Sequence, residues 1–300
     1  MKTSNNVLFG GFLCIVAYVF LSVLSAISKH LQDIGYSVFQ IIFFSFLFTF
    51  IFSLPWVFKR GLKTAFKTKY PVIILLRSVL GFAAFSILFL SVKEIPLVDS
   101  LTLFNTAPLW VPFLALIFLK ENFTYKIFLC IVLGFLGIVL VIHPRFSAMN
   151  YLGDTEALLA GMGASFVIII MRFLKDEEHQ RVVLYYGIIS TVASFFFVIN
   201  TWRMPVGTEW LLLIGAGICM YSMQILATKA FHYAKATVIG PLSYSSIIAS
   251  GVIGLVIWEQ VPTITSIAGM VVVIVSGLLI LFLGIKEERI KADTYRHHIP

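Results

Sequence analysis

Charge is what this chain has least of. Only 12% of its 300 residues are Asp, Glu, Lys or Arg, where soluble domains carry about 25%, and that scarcity excludes an ordinary soluble protein. Cysteine is nearly absent: Cys14, Cys130 and Cys219 each fall inside an apolar run with no pairing or metal spacing, so they read as packing residues and exclude a disulfide scaffold. His30, His143, His179, His232, His297 and His298 sit at span ends, in connections or in the tail. They supply no metal-ligand spacing, and no His/Asp/Glu constellation suited to catalysis accompanies them, so neither metal nor cofactor is expected and an enzyme is not. The alternating ten-residue segments of an outer-membrane barrel are missing as well.

What is present is length and apolarity. Hydrophobic residues make up 60% of the chain and the mean hydropathy is +1.00, in uninterrupted runs of the roughly 20 residues that a helix needs to cross a bilayer. Ten spans are predicted, at 7–28, 36–58, 71–92, 97–119, 126–142, 156–174, 182–201, 210–230, 236–258 and 264–285. The first is read as a retained span, because it is long for a signal segment and no clean cleavage site follows. The net charge of +8 would suggest nucleic acid in a soluble protein, but here the basic residues flank apolar runs and set orientation. With ten spans, seventeen Lys and Arg fall on the side of the N-terminus, four fall on the other side, and Arg77 lies within a span. This asymmetry predicts a multi-pass protein of the cytoplasmic membrane with both termini cytoplasmic. The partners implied are the lipid bilayer and a small-molecule substrate, without nucleic acid, and the chain is a monomer or a homodimer.

Two segments organise the rest. Residues 97–121 and 235–259 are both spanning-length runs interrupted by proline, Pro108 and Pro112 in one and Pro241 in the other, and each ends in a glutamate, Glu121 and Glu259. Proline frees a backbone carbonyl that must find another partner, so in lipid a broken helix survives only against protein or a cavity. Paired interruptions in two halves mark a transporter's binding site. Five spans precede the connection at 143–155 and five follow it, an odd number that inverts the second half. The expected division is 1–146 and 147–300. Identity between the halves is thin: a shift of 138 positions aligns Glu121 with Glu259 and sets Ser246 opposite Pro108.

Helical spacing then shows which spans have a polar side. Tyr18, Ser22, Ser25 and Lys29 share a face of the first span, Thr102, Asn105 and Thr106 one of the fourth, Tyr221, Gln224 and Thr228 one of the eighth, and Ser243, Ser246 and Ser250 one of the ninth, with Tyr244 beside them. Span seven is apolar apart from Tyr185 and Tyr186 near its inner end. Such faces line a cavity, although Ser and Thr also bond their own helix one turn back or glue two helices together. Arg77 lies about 9 Å inside the third span at 1.5 Å per residue, with Gly81, Ala84 and Leu88 on its face and Phe85 nearby. A cation that deep serves a substrate path or a partner, or else snorkels to the interface, and the sequence leaves both open. The Phe-rich run FFSFLFTFIF from Phe43 reads as lipid-facing bulk.

These residues resemble a known pattern. RSVLGFAAFSILFLSVKEIPLVDSLTLFNTAPLWVPFLALIFLKE from Arg77, GFLGIVLVIHP from Gly134, and GPLSYSSIIASGVIGLVIWEQVP from Gly240 are similar to the EamA family of the drug/metabolite transporter superfamily. The resemblance implies an all-α polytopic membrane protein of ten helices in two inverted repeats, alternating access, and a central cavity built from spans one, three, four, six, eight and nine. The function expected is secondary transport of a small polar metabolite, an amino acid or related solute. S-adenosylmethionine or another cationic aromatic solute is the alternative, and a non-transporting scaffold or an intramembrane enzyme is more remote. The substrate-binding set is Tyr18, Ser22, Arg77, Phe85, Asn105, Tyr221, Gln224, Ser243 and Tyr244, with Arg77 attracting a carboxylate. Pro108, Pro112, Pro241, Glu121 and Glu259 form the helix breaks and gates.

Overall fold

The computed structural model describes residues 2–119, 124–142, 151–174, 176–233 and 240–297. In chain order the helices are α1 (Lys2–Asp33), α2 (Val38–Arg60), the short α3 (Leu62–Ala65), α4 (Pro71–Glu94), α5 (Leu97–Phe104), α6 (Ala107–Leu119), α7 (Tyr125–Ile142), α8 (Tyr151–Phe173), α9 (His179–Val198), α10 (Glu209–Tyr233), α11 (Ser245–Trp258) and α12 (Ile264–His297). Among the described residues, seven stretches are long and apolar enough to cross a membrane, with α5 and α6 counted as one, and three shorter apolar helices lie at Tyr125–Leu140, Leu242–Trp258 and Ile264–Ile280. The protein is an all-α polytopic membrane protein whose helices fall where the ten spans are predicted. Its outer surface carries exposed side chains such as Phe12, Ile117, Leu129, Phe196 and Val256, as a lipid-facing surface requires.

Local chemistry sets the helix ends. Ser37 accepts a hydrogen bond from the Gln40 amide and starts α2, and Gly61, at a φ of 82°, ends it. Pro71 occupies the first turn of α4, where no intrahelical N–H is needed. In the fourth span, Pro108 has no N–H to offer the Phe104 carbonyl, and the helix breaks there: Asn105 caps α5 and α6 begins at Ala107. Gly161 of α8 crosses this break so closely that a Cβ on it would lie 2.7 Å from the Phe104 carbonyl oxygen. In the ninth span, a 3-10 turn over Gly240–Tyr244, which contains Pro241, leads into α11.

The packing has a regularity of its own. α1 packs on α10 and α4 on α8; α10 also meets α2, as α4 meets α9; α1 meets α11, as α5 and α6 meet α8. Exchanging the first five spans for the last five turns α1–α10 into α4–α8, α2–α10 into α4–α9, and α1–α11 into the contact of α8 with α5 and α6. α2 with α9 and α7 with α12 turn into themselves. The exchange is not complete: α1 touches α4, whereas α8 and α10 barely touch.

The Phe-rich run on α2 is not lipid-facing bulk. α2 lies between α9 and α10, so Phe46 meets Tyr186 with ring centroids 4.6 Å apart, Phe44 meets Trp210 at 5.5 Å and Phe52 meets Tyr221 at 6.0 Å. A helix flanked on two sides buries most of its circumference. The three cysteines are free thiols in buried positions.

Candidate substrate-binding site

A cavity lies where α8 and α10 stand apart, with an empty space of about 570 Å³, its open mouth included. It runs from the level of Met171 and Phe231, near the ends of α8 and α10, inward to Tyr18, Phe85 and Phe104. Each wall is a helical face: Arg77, Gly81 and Phe85 recur every four residues on α4, as do Gln224 and Thr228 on α10. We refer to the end of the bundle that holds residues 61–70, 174 and 176–178 as the near end. The other end, holding residues 34–37, 95–96 and 199–208, is the far end.

Arg77 is the chemical centre. Its side chain does not snorkel: it is 4% exposed, its guanidinium carbon lies 3.9 Å from the centre of the Tyr186 ring, and Nη2 donates to Gln224 Oε1 at 2.8 Å. A cation over an aromatic face in a desolvated place gains about 2 kcal/mol. That stacking and the bond to Gln224 hold the guanidinium at the cavity wall. Its Nε and Nη1 have no hydrogen-bond partner among the described residues, and neither has the Tyr186 hydroxyl. Gly81 makes this arrangement fit, because a Cβ there would sit 2.8 Å from the Tyr186 hydroxyl oxygen.

Of the nine sequence-predicted binding residues, Tyr18, Arg77, Phe85 and Gln224 line the cavity. The other five lie elsewhere. Asn105 is 1% exposed and donates to the Leu101 carbonyl at 2.6 Å and to Ser246 Oγ at 2.7 Å. Ser22 donates to the Ser246 carbonyl at 2.9 Å. Ser22, Asn105 and Ser246 thus join α1 to the two broken segments, with Ser243 buried beside them. Tyr221 turns towards Phe52 on the α2 side. Tyr244 is buried against α12, where a Cβ on Gly277 would come within 2.0 Å of its ring. The wall also includes Tyr186 of α9, from the seventh span, while the described residues of the ninth span contribute none of the lining. The signal was a tyrosine within an otherwise apolar span; nothing in its spacing tied it to Arg77.

Among the gate residues, Pro108 and Pro112 are buried, Pro112 inside α6. Glu121 lies outside the described residues. Glu259 is exposed and takes the left-handed turn that ends α11, at a φ of 53°. Its neighbours make the contacts: Trp258 Nε1 donates to Asp33 at 3.1 Å and Gln260 Oε1 accepts from the Leu97 amide at 3.1 Å.

The far end is closed by polar bonds. Lys29 of α1 is buried and donates to the carbonyls of Val92 and Ile95, the latter at 3.1 Å, and Gln32 donates to the Phe89 carbonyl at 2.8 Å. These are carbonyls around the end of α4, where helix acceptors run out of partners. Tyr36 donates to Glu209 at 2.7 Å, and burial together with that bond pushes its phenol up to about 12. Gln40 brackets the backbone of Arg203. At the near end, among the described residues, α2, α3 and the segment after α3 are tied to α9 and the turn before it: Arg60 pairs with Glu178 at 2.7 Å, Arg181 pairs with Glu177 and donates to the Ala65 and Thr64 carbonyls, each at 3.0 Å, and Tyr185 donates to the Phe66 carbonyl at 2.8 Å. Burial raises Glu177, but hydrogen bonds from Thr68 and Arg181 outweigh it and hold the carboxyl below its usual range.

Residues 8–143 match the EamA-like transporter family. An S-adenosylmethionine uptake transporter of Rickettsia felis is 28% identical over 81% of this chain and 83% of its own length. A pseudopaline exporter of Pseudomonas aeruginosa is 26% identical over 68% of this chain and 72% of its own. A solved crystal structure superposes with a TM-score of 0.70 over 95% of this chain and 99% of that one, at 17% identity, a likeness of fold alone. With its apolar helices and its proline-broken fourth span, the chain is similar to EamA-like transporters, whose family model matches its first five spans.

Proposed function

We propose that the protein is a secondary transporter of a small polar metabolite, an amino acid or related solute bearing a carboxylate, and works by alternating access. The observation that carries this reading is the buried Arg77, stacked on Tyr186 and bonded to Gln224 in the wall of an otherwise apolar cavity. In this reading Arg77 and Gln224 hold the polar group, Tyr18 and Phe85 form the wall, and Ser22, Asn105 and Ser243 hold the helix breaks. It is a carrier and not an enzyme.

The division into inverted repeats at 1–146 and 147–300 belongs to the same proposal, supported by pairings that exchange with the halves. So does the mechanism. In the state described, α1 and α4 are clasped at the far end by Lys29 and Gln32, and α8 and α10 stand apart around the cavity. Exchanging the halves gives the second state, with α8 on α10 and α1 released from α4. The basic residues of the near end support its placement at the cytoplasm, in the cytoplasmic membrane.

The Rickettsia relatives favour S-adenosylmethionine as a second reading, together with the aromatic wall. Proteoliposomes loaded with unlabelled solute and offered labelled amino acids or S-adenosylmethionine, with and without a pH gradient, test both. The proposal expects counterflow of a carboxylated solute that Arg77→Ala removes while the protein stays folded. Counterflow of S-adenosylmethionine alone selects the second reading, and counterflow untouched by Arg77→Ala refutes the site.

A further inference from the structure

We propose that the cavity selects by net charge, taking a monoanionic carboxylate with an apolar body in preference to a zwitterion and rejecting a cation. The inference rests on the transport reading above and narrows its substrate class from amino acids and related solutes to the related carboxylates that carry a net charge of −1. Arg77 carries a fixed positive charge, because a guanidinium does not release its proton in a protein. Of its nitrogens, Nη2 bonds to the neutral Gln224, and Nε and Nη1 are buried without a partner among the described residues. Among the described residues the lining contains no acidic side chain, and Arg77 is its one charged member. Among the described residues, the cavity wall therefore holds one positive charge without a counter-charge.

A buried charge without a counter-charge is unfavourable, and the group that removes this one must come with the ligand. A carboxylate of net charge −1 brings the cavity to neutrality and accepts from the guanidinium. The Tyr186 hydroxyl, buried in the same wall and lacking a partner, supplies another donor. A zwitterion leaves the net charge in place and adds an ammonium with no carboxylate to meet it. A cation doubles the charge, and a doubly charged phosphate monoester overshoots it. The remaining wall, including Phe85, Phe104, Met171 and Met223, suits an apolar or aromatic body.

A probe series with one ring and four charges tests this directly on the purified full-length protein in detergent: 3-phenylpropanoate, phenylalanine, phenethylamine and phenyl phosphate, each titrated calorimetrically at pH 7. The expected result is 3-phenylpropanoate binding roughly tenfold more tightly than phenylalanine or phenyl phosphate, and no saturable binding of phenethylamine. Arg77→Gln should abolish the preference, so that phenylalanine and 3-phenylpropanoate bind alike. Arg77→Lys, which keeps the charge and loses the planar fork, should preserve the order at lower affinity, and Tyr186→Phe should weaken 3-phenylpropanoate severalfold without changing the order. Retained elution volume and melting temperature certify that each variant is folded. Phenylalanine or phenethylamine binding as tightly as 3-phenylpropanoate, or no saturable binding of 3-phenylpropanoate, overturns the inference. Counterflow in proteoliposomes separates it from the transport reading. Binding in the expected order without counterflow sinks transport and leaves the charge rule standing; counterflow of phenethylamine sinks the charge rule and leaves transport standing.

Discussion

Asn105 Nδ2 and Ser246 Oγ are 2.7 Å apart, and that bond ties the break in one proline-interrupted segment to the start of the helix after the other. Ser246 Oγ itself donates to the Ser243 carbonyl at 2.8 Å. Asn105→Ala should lower stability by about 1–2 kcal/mol, because it strands a buried polar site. A double-mutant cycle with Ser246→Ala should return a coupling of about 0.6 kcal/mol and no more than about 1.7 kcal/mol, the range for interhelical bonds in membranes. Ligand affinity should stay within about twofold of the parent. Equilibrium unfolding in mixed micelles and binding titrations measure both quantities. A large loss of affinity with unchanged stability would return Asn105 to the substrate site.

Gly277 and Tyr244 make a second test. Gly277→Ala places a methyl group where the tyrosine ring already lies, and overpacking of this kind costs about 1–3 kcal/mol. Tyr244→Leu in the same chain should recover part of that loss. If the double variant is less stable than Gly277→Ala alone, the ring is not the obstacle.

Lys29 holds the far end. Replacing it by Met leaves the Val92 and Ile95 carbonyls without their donor, so α1 should part from α4 more often. In a background with Cys14, Cys130 and Cys219 changed to Ala, a Ser25→Cys probe should react faster with a membrane-impermeant maleimide applied from the far side when Lys29→Met is added. Unchanged labelling would show that Lys29 is no latch.

Glu177 gives a pH signature. Its carboxyl is held below the usual range by Thr68 and Arg181, so the folded state binds its proton less readily than the unfolded state. Such a group stabilises fully above the unfolded value of about 4.3 and loses its contribution as pH falls through the folded value. Melting temperature should therefore drop below about pH 4, and Glu177→Gln should flatten that drop while lowering the plateau at pH 7. Parallel curves for both proteins would argue that other carboxylates set the acid limit.

Much of the fold was legible in the sequence, because length and apolarity decide which segments cross a bilayer and proline decides where one of them breaks. Pro108 announced the gap between α5 and α6, and the depth of Arg77 singled it out while leaving burial and snorkelling both open. Its partner was not legible: Tyr186 lies 109 positions away on a span that otherwise reads as apolar, and a cation over a ring leaves no mark in spacing. Polar faces also misled in a definable way. Ser22, Asn105 and Ser243 follow helical periods as cavity residues would, yet their face meets a neighbouring helix, and periodicity does not distinguish water from backbone as the opposing surface. The Phe-rich run went astray for the converse reason, since α2 is flanked by α9 and α10 and its rings interlock with theirs.

The pairing of α1 with α10 has a consequence for how the chain is made. Between Asp33, where α1 ends, and Glu209, where α10 begins, a ribosome adding about 5–20 residues per second spends on the order of ten to thirty seconds. Throughout that interval the first span rests in the bilayer with Ser22, Ser25 and Lys29 on one side and its principal partner not yet synthesised. The six spans that emerge in between must keep that side sheltered, and a stall in translation before α10 would leave a half-built bundle whose first span lacks its principal partner.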